Sequence, residues 1–166
     1  APAAEPATKA TTLTKTEGLV RLAKPGPELW VEAKAPVALV PGDRIKTAWG
    51  RAEITFPNGA VVRLQHDTSF EVRASEVEPV TGRRRLVSFL SRGLVRAVVK
   101  SLRTEEGFAI KSSSAVCAVK GTDFAFDGSA AAVFDEADDA KHEVTLSDSA
   151  EEHAVLVGEN MMAGIG

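Results

Sequence analysis

Residues 118–126 read Ala-Val-Lys-Gly-Thr-Asp-Phe-Ala-Phe, which sets a hydroxyl and a carboxylate, Thr122 and Asp123, directly behind Gly121. Those residue types suit a nucleophile and its helper. Hydroxyl attack also needs a base, usually histidine, and donors for the oxyanion, and nothing near this run supplies them. A phosphate loop would need glycine, four residues, then Gly-Lys and a hydroxyl residue leading into a helix. Here Lys120 precedes the glycine and the flanks are β-type, so that chemistry is excluded. The run reads as a corner between strands: Gly121 permits a bulge or positive φ, Thr122 and Asp123 bond nearby backbone groups, and Phe124 and Phe126 share one face.

The remaining reactive side chains are scattered. His66, His142 and His153 fall in separate segments without the spacing of a zinc set. Asp135, Glu136, Asp138 and Asp139 could offer oxygens to calcium, but the Asp-x-Asp-x-Asp-Gly order with a closing Glu is missing, so the stretch reads as a solvated loop. Arg83, Arg84 and Arg85 could form an anion site and read instead as part of a charged loop over 75–85. Trp30 and Trp49 are either binding platforms or core residues. Cys117 stands alone within Ala-Val-Cys-Ala-Val, which excludes an internal disulfide and suggests a small buried hydrophobe. No cofactor, metal or catalytic set is expected, and so no enzyme.

The elements that must position these residues are strands. From Gly18 onward, short segments rich in Val, Ile, Phe and Thr alternate with Gly, Pro, Asn and Asp, and no helical period is sustained. Pro41-Gly42 predicts a type II turn. Ala52, Ile54 and Phe56 share a face ahead of Asn58-Gly59, and Val62 and Leu64 return on the other side, which predicts a hairpin. Residues 94–99 read as a central strand covered on both faces except at Arg96. At 166 residues and 44% hydrophobic, the chain is the size of one domain with its own core. Residues 1–16, rich in Ala, Pro and Thr, read as a flexible tail or linker, and 17–166 as a single β domain. A net charge of −3 gives no general pull toward nucleic acid. No apolar run approaches the roughly 18–20 residues of a membrane-spanning helix.

In combination, Pro-Gly-Asp-Arg-Ile at 41–45, Arg-Ala-Glu at 51–53, Phe-Pro-Asn-Gly at 56–59, Arg-Gly-Leu-Val-Arg-Ala-Val-Val at 92–99 and Val-Lys-Gly-Thr-Asp-Phe at 119–124 resemble the FecR family domain. The resemblance spans roughly residues 18–164. It marks Gly42, Asp43, Asn58, Gly59, Gly121, Thr122, Asp123 and Phe124 as structural motif positions. It implies an all-β domain, wound as a solenoid or a twisted sandwich, that is exported and works outside the cytoplasmic membrane. It further implies a non-enzymatic module whose partner is another envelope protein, such as the periplasmic domain of an outer-membrane transducer. The family's cytoplasmic anti-sigma segment and membrane helix are not in this sequence, so an excised domain and a standalone protein both fit. The alternative is a cell-wall or surface module that binds glycan, with Trp30 and Trp49 as sugar platforms.

Overall fold

The computed structural model describes residues 11–57, 59–77, 84–99, 107–119, 122–133, 144–148, 154–157 and 162–164. Among them there is no helix. The N-terminal strands are β1 (Thr11–Glu17), β2 (Val20–Ala23), β3 (Val31–Glu32), β4 (Val37–Leu39) and β5 (Arg44–Thr47). The middle of the chain supplies β6 (Arg51–Thr55), β7 (Val61–Leu64), β8 (Thr68–Val77), β9 (Arg84–Arg92) and β10 (Val95–Val99). The rest are β11 (Gly107–Lys111), β12 (Ala115–Val119), β13 (Thr122–Phe126), β14 (Ala130–Val133), β15 (Val144–Asp148), β16 (Ala154–Val157) and β17 (Met162–Gly164).

These strands form two sheets. The first has the order β4-β1-β6-β7-β10-β13-β14-β17 and the second the order β3-β2-β5-β8-β9-β11-β12-β15-β16. Apart from an exchange at the start, both orders follow the chain. The polypeptide lays one or two strands in one sheet, crosses, lays one or two in the other, and so advances along both together. Neighbours pair antiparallel except β9 and β11, which run parallel with Leu86 opposite Phe108 because β10 crosses to the other sheet between them.

Alternation along each strand sends one set of side chains inward. Leu13, Ile54, Val62, Leu64, Phe124 and Phe126 from the first sheet meet Ile45, Phe70, Leu90, Phe108, Ile110 and Leu146 from the second in one buried cluster. The edge-on contact of Phe56 with Phe108, centroids 5.0 Å apart at 69°, ties the β6 end of the first sheet to β11 of the second. The molecule is thus an all-β pair of packed sheets, not closed into a barrel.

Three sequence expectations need correction. Thr11–Glu17 is not linker but β1, paired to both β4 and β6. Its Thr-Thr-Leu-Thr-Lys-Thr stretch is β-branched at alternate positions and buries Leu13, a pattern that the Ala/Pro/Thr composition conceals. The stretch 75–85 is not all loop: β8 runs to Val77 and β9 starts at Arg84, with charged residues on the outer face of the second sheet. The strand at 94–99 is central, between β7 and β13, but it is not covered on both faces: Val95 and Ala97 are buried, whereas Leu94 and Arg96 on its outer face are open to water.

Candidate interaction surface

Four crossings between the sheets stack into a seam. They lie at Gly18–Leu19, Ala48–Gly50, Gln65–Asp67 and Gly93–Leu94. Ala48 N donates to Leu19 O at 3.3 Å, Asp67 N to Ala48 O at 3.2 Å, and Gln65 N to Leu94 O at 3.0 Å, so each corner is bonded to the next. Two wholly buried threonines stitch the seam from inside. Thr47 Oγ1 donates to Gln65 O at 2.6 Å and accepts from Thr68 N at 3.0 Å, while Thr68 Oγ1 accepts from Leu94 N at 3.2 Å. The corners pack so tightly that a Cβ on Gly50 would lie 2.1 Å from Glu17 O, and one on Gly93, where φ is 99°, would lie 2.4 Å from Thr68 Oγ1.

Trp49 rides on this seam with 85% of its surface exposed. Its backbone is held against Gly18, whose Cβ would meet Trp49 O at 3.2 Å, so a large apolar ring is presented on an anchored corner. His66 and Leu94 are exposed on the two following corners, and Arg92 pairs with Asp67 at 2.6 Å beside them.

Trp30 has the opposite character. Lys46 Nζ lies 4.5 Å and the Arg44 guanidinium 5.4 Å from its ring centroid, and its indole N–H donates to Glu28 at 3.1 Å. The Arg44 guanidinium, paired with Glu28, also donates to the carbonyls of Lys24 and Pro27. Hydrogen bonds from Arg44 and Trp30 hold the Glu28 carboxyl below its ordinary range. Residues 24–30 therefore form a strap fixed by cations over the outer face of β5, and Trp30 is committed to that structure.

The strap covers the turn into β5. Gly42 has φ 99° and Asp43 N donates to Val40 O at 3.0 Å, the geometry of a type II turn with Pro41 at its second position. Asp43 is buried: Oδ2 accepts from Val40 N at 2.9 Å and pairs with Lys24 at 3.0 Å, while Oδ1 has no partner among the described residues. Gly59, with φ 93°, donates its N–H to Phe56 O in the loop between β6 and β7, and Asn58 lies outside the described residues. Thr122 and Asp123 open β13 opposite Val99 and Val98, Phe124 is wholly buried, and Gly121 lies outside the described residues. These motif positions occupy separate turns and strand starts and do not converge on one site.

The acidic stretch 135–139, His142, His153 and Arg83 also lie outside the described residues. Among the described residues no three His, Cys, Asp or Glu side chains converge, and no helix is long and apolar enough to cross a membrane. Cys117 is buried, and burial pushes its thiol pKa far up. Arg85 is buried on the outer face of the second sheet, where it donates to Glu76 at 2.5 and 3.0 Å.

Fold and surface together define a class: an all-β domain of two packed, progressively wound sheets that presents anchored side chains on its outer faces and corners. A family model described as FecR protein matches residues 43–149, and the chain belongs to the FecR family, regulatory domains known in cell-envelope signalling. No curated protein and no solved structure matches the chain. Sequence reasoning missed Thr47, Thr68, Gly50 and Gly93. Their one visible signal is position, a threonine or glycine at the boundary of a strand with its turn.

Proposed function

We propose that this domain is a non-enzymatic, extracytoplasmic protein-binding module that relays contact with another envelope protein. The observation that carries the reading is Trp49: an aromatic side chain exposed at 85% on a backbone pinned by Gly18 and Gly50. Such a ring gains contact area on binding with little ordering cost, which is why Trp is enriched at binding hot spots. Membership in a family of regulatory signalling domains supports the same reading. The periplasmic domain of an outer-membrane transducer is the partner this reading names.

The test is a crosslinking pull-down from the donor cell's envelope fraction with the parent domain and with Trp49→Ala. The expected result is one dominant transducer or transporter protein, captured about ten-fold less by the variant. Equal capture by both forms removes Trp49 from the interface. Enrichment of wall glycan without protein replaces the reading with a glycan-binding scaffold.

A further inference from the structure

β3 holds its place at the edge of the second sheet by little. It has two residues, Val31 and Glu32, both exposed, which stand opposite Leu22 and Arg21 of β2. One further bond, from Ala33 N to Val20 O at 2.8 Å, adds to its hold on that edge. The strap that precedes it is tied through charged groups: Lys24 to Asp43, Glu28 to Arg44, and Trp30 to the cations of Lys46 and Arg44. Lys24 and Glu28 are open to water, where an ion pair contributes little and is screened by salt. The strap also keeps Asp43 buried with Oδ1 lacking a partner among the described residues, a cost that hydration of the carboxylate would remove.

The strand beneath is of a different quality. β2 runs over four residues, Val20–Ala23, pairs with β5 at every one of them, and buries Val20 and Leu22 in the core. On the outer face Glu32, Arg21 and Lys46 form one cross-strand row. In the next row Arg44 pairs with Glu28 of the strap and stands opposite Glu71 of β8, itself paired with Arg73. Departure of the strap and β3 would take Glu28 and Glu32 away and leave Arg21, Arg44 and Lys46 in place. β2 also begins two residues after Gly18, the glycine that pins Trp49, so its edge is continuous with that corner.

We propose that β3 is a placeholder: an extended acidic segment of the partner protein displaces β3 and the strap, adds to the edge of β2 and runs on toward Trp49. A strand added edge-on turns alternate side chains to opposite faces and bonds through its main chain. Its apolar residues then enter the row of Leu22 and Ile45 and its carboxylates the row of Arg21 and Lys46, the two places that Val31 and Glu32 hold now. This docking rests on the protein-binding reading above and adds the strand that receives the partner and the chemistry of the incoming segment.

The test is the envelope crosslinking pull-down with Arg21→Cys/Glu32→Cys, two positions that stand opposite in an antiparallel pair, within the reach of a disulfide. Cys117 is buried and takes no part. Oxidised, the variant ties β3 to β2, and capture should fall at least about ten-fold against the same variant reduced, because the competent state is withdrawn. The parent should be captured equally with and without reductant, and circular dichroism and melting verify each fold. Equal capture by the oxidised and reduced variant overturns displacement and leaves the protein-binding reading standing. No capture by the parent overturns both. A crosslinked dimer of the domain as the main product overturns the proposal in favour of copies that exchange β3. If the oxidised variant does not fold, hydrogen exchange of the parent decides: the Ala33 amide should exchange faster than the β5 amides, and faster still at high ionic strength. Exchange as slow as in β5 at every ionic strength overturns the proposal.

Discussion

A hydroxyl buried in an apolar interior costs free energy unless it is bonded, and Thr47 Oγ1 is bonded as both donor and acceptor across two corners of the seam. Thr47→Val keeps the shape and removes both hydroxyl bonds. It should destabilise by about 1–3 kcal/mol, read as a lower denaturant midpoint at unchanged slope. Gly50→Ala brings a Cβ to within 2.1 Å of Glu17 O and should cost about 3 kcal/mol. A variant that melts like the parent would disprove the close approach. The two tryptophans show the limit of reading at this scale. In sequence Trp30 and Trp49 are equivalent candidates, and only the fold shows Trp30 beside Lys46 and Arg44, which project from one face of β5, while Trp49 stands clear. The Gly42 turn was legible because Pro and Gly fix φ locally, but the burial of Asp43 beneath a strap from residues 24–30 was not, since that contact joins distant segments.

Among the elements, β8, β9 and β11 are joined by Glu76, whose carboxylate takes hydrogen bonds from Arg85 and from Lys111 at 3.0 Å. Burial raises the Glu76 pKa, but the hydrogen bonds and charges of Lys111 and Arg85 outweigh it and leave the pKa below its ordinary value of 4.5. A carboxyl depressed in the folded state contributes stability above its unfolded value, and loses it as the pH falls through the folded value. The melting temperature should therefore drop on acidification below about pH 4.5, and the gap between the parent and Glu76→Gln should narrow over that range. A gap constant with pH would show that the cluster does not stabilise the fold through ionisation. Hairpins such as β6–β7 were legible from alternation, with Ile54 opposite Val62 and Ala52 opposite Leu64. The charged ends of β8 and β9 were not, because charges on the outer face of a sheet and charges in a loop look alike in sequence.

For the whole molecule, each central strand has neighbours on both sides, whereas β3, β4, β16 and β17 have one. Hydrogen exchange should be slowest in β5, β7 and β10 and fastest in β3 and β4, where the chain also exposes Leu29, Val31 and Val40. Uniform protection would mean that the two sheets open only together. Short segments rich in Val, Ile, Phe and Thr between Gly, Pro, Asn and Asp made the all-β class legible. The alternation between sheets and the parallel β9–β11 pair were not, because strand signals carry no information on which sheet receives each strand.

The progressive winding has a mechanical consequence. β4, next to β1, stands at one end of the eight-stranded first sheet and β17 at the other, seven spacings away, about 34 Å at the usual 4.8 Å spacing. Tension applied to the two flanks of the domain acts across the strands, so it peels hydrogen bonds from the ends in sequence instead of shearing a whole ladder at once. The domain should then yield in small steps at low force.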